Sequence, residues 1–379
     1  MKKFLLSAAV ATVLALPGAA FAQSNEIVIG ITITTTGPAA ALGIPERNSL
    51  DFVAKEIGGV PLKVIVLDDA GDPTTATTNA RRFVTESKAD IIMGSSTTPT
   101  SIAVANVAAE AGIPHLGLAP FPITPERAKW SVSMPQPIPI VGKVMYDHMK
   151  KNNVKTLGYI GYSDSYGDLW LNDIKSQAVP MGMTVAAEER FARTDTSVTG
   201  QVLKLVAANP DAILVGASGT AAGLPQTALR ERGYKGLIYQ THGAASMDFI
   251  RIAGAAAEGV FMASGPVMDP EDQPDEAQTK RPGLALNKQY EAKYGPRSQF
   301  AGHSYDAFLV LERVVPVALK TAKPGTPEFR EAIRQALLTE REIAASQGVY
   351  NFTEKDRYGV DERARILLTV KDGKYKLVR

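Results

Sequence analysis

The stretch DIIMGSSTTPTSIAVANVAAEAGIPHLGL, residues 90–118, decides the fold class. It opens on a short apolar run, DIIMG (90–94), of the kind that forms a strand buried on both faces. Gly94 and four hydroxyl-bearing residues, Ser95 to Thr98, lead into a helix-period segment over 99–111. Gly112 stops that helix, and IPHLGL (113–118) is a second buried strand. Strand, loop, helix and strand in this order make a unit of a parallel sheet covered by helices.

The same alternation extends in both directions. Upstream lie strands EIVIGITI (26–33) and LKVIVLDD (62–69), with helical segments near 45–57 and 73–87. Asp72-Pro73 is a cap followed by proline at the first helical position, and Gly58-Gly59 reads as a helix stop. Downstream lie strands at 156–162, 183–191, 211–217, 236–241 and 258–264, with helices near 165–179, 197–208, 220–232 and 246–253. Between the two sets, MPQPIPI (134–140) carries prolines at alternate positions and predicts an extended crossover. GPVMDPEDQPDEAQ (265–278) reads as a second crossing or an exposed loop. Helices follow at 283–294, 303–321 and 326–338, then a strand pair near 348–353 and 363–378. The fold class is α/β, with two doubly wound, Rossmann-like lobes and a ligand cleft beyond the carboxyl ends of their strands.

Composition narrows the function. At 379 residues the chain is too long for one ordinary core, and 45% apolar with 21% charged residues describes a globular protein. A net charge of +2 implies no nucleic-acid partner. Residues 1–22, MKKFLLSAAVATVLALPGAAFA, have the basic start, short apolar run and A-x-A end of a secretory signal peptide, with cleavage expected after Ala22. No later run is long enough for a membrane span. The absence of cysteine removes thiolate chemistry, iron–sulfur clusters and the attachment point of a bacterial lipid anchor. The expected location is the periplasm, without a membrane anchor.

The residues just after the strands are the candidate site. Ser96, Thr97 and Thr98 offer hydroxyls and helix N-terminal N–H groups, a setting that favours a carboxylate. One of them caps the helix in any case. Phe121, between Pro120 and Pro122, presents a ring as a ligand wall or as core. Tyr166 opens a helix with a ring face and a hydroxyl. Ser218 and Thr220 precede another helix, and His242 follows the strand at 236–241. Signals for an enzyme are poor. GASGT is not G-x-S-x-G, no P-loop or dinucleotide fingerprint follows a strand, and the four histidines lack metal-ligand spacing. No cofactor and no metal are expected.

Taken together, IVIGITITTTGPAAALG, VIVLDDAGDPTTATTNARRFV, the stretch 90–114, SDSYGD, AAEGVFMASGP and GHSYDAF resemble the type I periplasmic binding proteins of ABC transporters, in their Leu/Ile/Val-binding-like branch. The resemblance spans nearly all of the mature chain. It implies two lobes with three hinge crossings, closing on a small solute and delivering it to an inner-membrane ABC permease. It implies discontinuous lobes, 23–136 plus 279–345 and 137–278 plus 346–379, acting as a monomer. It carries ligand contacts onto Ser96 to Thr98, Ala119 to Phe121 and Tyr166, with Leu42 in AAALG (39–43) as an apolar wall.

One departure stands out. Amino-acid receptors of this branch carry an acidic residue where this chain has His242, and an imidazole cannot neutralise an ammonium. A histidine suits a carboxylate better, and the family's resemblance to receptors for small aromatic acids, of the benzoate or hydroxycinnamate type, implies an aromatic acid as the solute. The alternative is an amino-acid or amide receptor whose ammonium is held by Asp164 or Asp306. More distant readings are an exported hydrolase using Ser218 or Thr98, and a sensory ligand-binding domain.

Overall fold

The computed structural model describes residues 25–379; the signal peptide expected over residues 1–22 lies outside them. The first half alternates β1 (Ile27–Ile33), α1 (Ala40–Ser49), β2 (Glu56–Ile57), β3 (Val60–Asp68), α2 (Pro73–Thr85), β4 (Ile91–Gly94), α3 (Thr98–Ala111), β5 (His115–Gly117), α4 (Pro125–Ala128) and β6 (Ser131–Ser133). These strands form a six-stranded sheet in the order β2-β3-β1-β4-β5-β6. It is parallel apart from the β2–β3 hairpin. Every residue of β1 and β4 is buried, which is why their sequences are near-continuous apolar runs.

The alternation resumes with α5 (Ile138–Lys151), β7 (Thr156–Tyr162), α6 (Ser165–Asp173), β8 (Thr184–Phe191), α7 (Thr199–Ala208), β9 (Ala212–Gly216), α8 (Gly223–Glu231), β10 (Leu237–Gln240), α9 (Met247–Ala253) and β11 (Phe261–Ser264). Helices α10 (Lys280–Tyr294), α11 (Gln299–Ala318) and α12 (Pro327–Thr339) follow, and α11 packs on α1, β2 and α12. A small pair, β12 (Ile343–Ala344) and β13 (Val349–Tyr350), precedes β14 (Ile366–Lys371) and β15 (Lys374–Leu377). The second sheet has the order β15-β14-β11-β10-β9-β7-β8, with β14 and β15 antiparallel on a parallel core. The protein is thus an α/β molecule of two doubly wound lobes, each with a mixed sheet.

Several local expectations are corrected. Gly58-Gly59 is no helix stop; both residues have positive φ and turn the two-residue β2–β3 hairpin, while α1 runs earlier, from Ala40 to Ser49. Only the first part of 134–140 is extended. Helix α5 begins at Ile138, and its first turn accommodates Pro139, whose missing N–H has no helical partner to lose. The expected pairing of 348–353 with 363–378 does not form. β13 pairs with β12, and 366–377 is itself a hairpin turning at Asp372-Gly373, both with positive φ.

The chain passes between the sheets after β6, after β11, and between α12 and β14. Buried polar side chains tie these three passages together. Gln136 Nε2 donates to the Gln347 carbonyl (3.3 Å) and to its Oε1 (3.2 Å). Gln347 Nε2 donates to the Gln299 carbonyl at 2.7 Å. Gln299 Oε1 accepts from Ser264 Oγ (2.7 Å) and Gly265 N–H (2.8 Å). Asp306 accepts from Ser346 N–H and Oγ and from Gln347 N–H, at 2.8, 2.6 and 2.7 Å. A Cβ on Gly265 would stand 1.8 Å from Gln347 Oε1 and 2.4 Å from Gln136 Nε2, so any side chain there would push these two amides out of their bonded positions.

Asp306→Ala leaves two buried N–H donors without a partner, each worth roughly 1–3 kcal/mol. The variant is expected to lose roughly 2–4 kcal/mol of stability in urea denaturation. A loss below about 0.5 kcal/mol, the range of an ordinary surface change, would contradict the junction's structural role.

Candidate functional site: a cavity between the sheets

The segments that follow β4, β5, β8, β9 and β10 converge, with α1, α6 and α11, on a cavity of about 320 Å³ of atom-free space. From the first lobe come Leu42, Ser96, Thr97, Thr98, Leu118, Ala119 and Pro120, joined by Phe300 and His303 of α11. From the second come Tyr166, Arg193, Ser218, His242 and Gly243. The lobes touch at its edge, where a Cβ on Gly219 would stand 2.7 Å from Leu42 Cδ1.

Most residues expected from the sequence are brought together here: Leu42, Ser96, Thr97, Thr98, Ala119, Tyr166, Ser218 and His242. Phe121 and Thr220 do not line the cavity. Phe121 is fully buried, its ring against His115 at 5.7 Å between centroids. The Tyr358 hydroxyl fixes its backbone, accepting from Phe121 N–H (3.1 Å) and donating to its carbonyl (2.8 Å). Thr220 sits inside a single 3-10 turn, Gly219–Ala222, two positions beyond the cavity-lining Ser218. The two carboxylates offered for an ammonium are also engaged elsewhere. Asp164 caps α6 and pairs with Arg193 at 2.7 Å, and Asp306 belongs to the interlobe junction.

The hydroxyl loop is largely occupied in holding itself. Ser96 Oγ accepts from Thr34 N–H at 3.0 Å and donates to Glu46 Oε2 at 2.5 Å. Thr97 forms a capping box with Thr100, and Thr98 Oγ1 donates to the Pro120 carbonyl at 2.6 Å. What this loop still offers an anion is the positive dipole end of α3, although Pro99 has no N–H and that of Thr100 is already capped by Thr97.

The fixed positive charge is Arg193, which the sequence reading missed. Its guanidinium donates to Asp164 Oδ2 (2.7 Å) and Ser218 Oγ (3.1 Å), and it stacks on the Tyr162 ring at 3.9 Å. It stands two residues past the end of β8, so the rule that selects the other loops also selects it. Tyr166 donates to Thr241 Oγ1 at 2.9 Å, because the Thr241 hydroxyl gives its own proton to the Ala217 carbonyl. Burial pushes its phenol up to about 12, so it stays neutral.

Two buried histidines complete the site. His242 lies against Tyr166 and Trp170, with ring centroids 6.4 and 5.8 Å away, and its Nδ1 has no hydrogen-bond partner in the protein. His303, also missed, has neither ring nitrogen in a well-formed hydrogen bond; the Glu46 carboxylate lies 3.7 Å from its Nδ1. Burial depresses both imidazoles, His242 to about 4 and His303 to about 3. Both are neutral at physiological pH and present nitrogens to the cavity region.

The unfolded chain protonates these rings below about pH 6.5, whereas the folded chain resists until about 4 or lower. Between those values the unfolded state binds more protons, so these rings make stability rise with pH and fall on acidification. His242→Asn is expected to flatten the decline of melting temperature between about pH 6.5 and 4. An unchanged slope would mean that the His242 ring already carries its proton in the folded state.

Residues 26–373 match the family described as periplasmic binding protein, and the chain belongs to that family. It is 79% identical to an extracellular ligand-binding receptor from Rhodopseudomonas palustris HaA2, whose crystal structure superposes with a TM-score of 0.93 over 93% of this chain and 100% of that one. Leu/Ile/Val-binding protein homolog 1 of Brucella suis is 26% identical over 293 residues, 73% of this chain and 76% of that protein. A solute-binding protein from R. palustris, solved in complex with benzoate, shares the fold with a TM-score of 0.78 at 19% identity, over 93% of this chain and 95% of that one.

Proposed function

We propose that this chain is the periplasmic solute receptor of an ABC importer, and that its ligand is a small carboxylate without an ammonium, an aromatic acid in particular. The observation that carries this reading is the sign of the cavity wall. It holds the Arg193 guanidinium and two neutral imidazoles, and no Asp or Glu side chain is among its lining residues. An amino-acid ligand would leave its ammonium facing His242 and Arg193, a desolvated cation without a counter-charge. The benzoate complex of the related fold supports an aromatic acid; the Brucella relative's name supports the amino-acid alternative. Leu42, Leu118, Tyr166 and Phe300 supply apolar surface for a ring.

In this reading the passages between the sheets are the hinge, with lobe boundaries after residue 136, after residue 278 and near residue 345. The chain is a receptor and not an enzyme. Ser218 Oγ accepts from Arg193, and Thr98 Oγ1 donates to a backbone carbonyl; neither is hydrogen-bonded to a general base.

A thermal-shift panel tests the ligand class, since a ligand that binds only the folded state raises its melting temperature. Benzoate and other aromatic carboxylates are expected to stabilise the protein, by about 2.7 kcal/mol at a hundredfold excess over Kd. Stabilisation by leucine or valine, with none by any aromatic acid, would overturn the assignment. His242→Ala is expected to weaken carboxylate binding by about 1.5–3 kcal/mol, the worth of a hydrogen bond to a charged group. Titration calorimetry showing unchanged affinity would remove His242 from the site.

A further inference from the structure

Behind the cavity wall lies a carboxyl group that the ligand-binding reading does not use. Glu46, one turn beyond Leu42 on α1, is completely buried. Its Oε2 accepts the Ser96 hydroxyl proton at 2.5 Å. Its Oε1 has no hydrogen-bond partner and faces His303 Nδ1, equally unpartnered, at 3.7 Å. The nearby Asp69 carboxylate is served by the hydroxyls of Thr32, Thr34 and Ser95 and by Gly71 N–H. Glu46 has one donor, and its other oxygen faces the neutral His303 ring. A buried carboxyl this poorly supplied with donors keeps its proton. Burial and the Asp69 charge both push Glu46 well above the usual carboxylate range. The His303 ring is flanked by Phe300, at 5.7 Å between centroids, and by the Leu118 carbonyl and His242, and it forms part of the cavity wall.

A protonated carboxyl facing a neutral imidazole nitrogen is a donor facing an acceptor. We propose that Glu46 stores a proton behind the cavity and passes it to His303 Nδ1 when an anionic ligand enters. The Glu46 O–H bond breaks and its electron pair stays on Oε1. An N–H bond forms on the Nδ1 lone pair, and nothing is oxidised or reduced. The pair stays neutral in sum, so the ligand-free site holds no unpaired buried charge, while the ligand carboxylate meets an imidazolium without drawing a proton from solvent. This rests on the carboxylate reading of the ligand. It makes Glu46 a positioning residue for charge and His303 the group that reads the ligand's sign.

Infrared difference spectroscopy at neutral pH tests it, with benzoate as the probe and Glu46→Gln as the reference. The ligand-free protein is expected to show the carbonyl stretch of a protonated carboxylic acid that Glu46→Gln lacks. Benzoate should abolish that band and move the ¹⁵N resonance of His303 Nδ1 to its protonated position. His303→Gln should keep the band with benzoate bound and bind benzoate at least about tenfold more weakly, the loss of one charge-assisted hydrogen bond. Either variant alone supplies the contrast if the other fails to fold. Absence of the band from the ligand-free protein overturns the stored proton. Persistence of the band while benzoate raises the melting temperature overturns the transfer alone. If the band is present and no aromatic acid raises the melting temperature, the carboxylate reading falls and the transfer falls with it.

Discussion

Three glutamines and one aspartate, Gln136, Gln299, Gln347 and Asp306, hold the places where the chain leaves one sheet for the other. Everything at the site depends on that junction. The two sheets share no strand pairing, so nothing in either ladder fixes how their strand ends face each other. The junction does so with directional bonds between amides, and it reaches the site itself, since Gln299 Nε2 donates to the His242 carbonyl at 3.2 Å. An apolar junction would hold the passages by contact area alone and leave their angles loosely set; hydrogen bonds specify geometry as well as proximity.

Inside the cavity the deciding term is desolvation. Burial strips the imidazoles of charge, pushes the Tyr166 phenol up, and raises the Glu46 carboxyl. Arg193 keeps a permanent charge because a guanidinium is effectively never deprotonated in a protein, and Asp164 answers it at 2.7 Å. The charged side chain of the wall is therefore a guanidinium, held in place by a carboxylate that does not itself line the cavity.

Much of this is legible in the chain. Strands buried on both faces write themselves as apolar runs, and the rule that ligands gather beyond strand ends locates most of the cavity. What escapes does so for physical reasons. Arg193 follows TVAAEERF, a strand of mixed exposure whose alternation draws the eye to its surface and not to what comes after it. His303 lies a full turn inside α11, whose start at Gln299 is marked only by the Ser298 cap, so it looks like the beginning of a helix and not part of a wall. Phe121 reads equally well as wall or core because its neighbouring prolines fix the backbone and not the side chain. The ring it packs against, His115, and the Tyr358 hydroxyl that fixes its backbone, 237 residues away in sequence, are not visible from its neighbours.

That Tyr358 contact has a wider meaning. One phenol accepts from and donates to the same distant residue, clasping a loop of the first sheet to the segment near the chain's end. In an exported protein such a clasp is often a cystine, and this sequence has no sulfur available for one. Its closure is therefore indifferent to oxidants and reductants. The molecule can reach its native form, lose it and regain it with no thiol chemistry along the way.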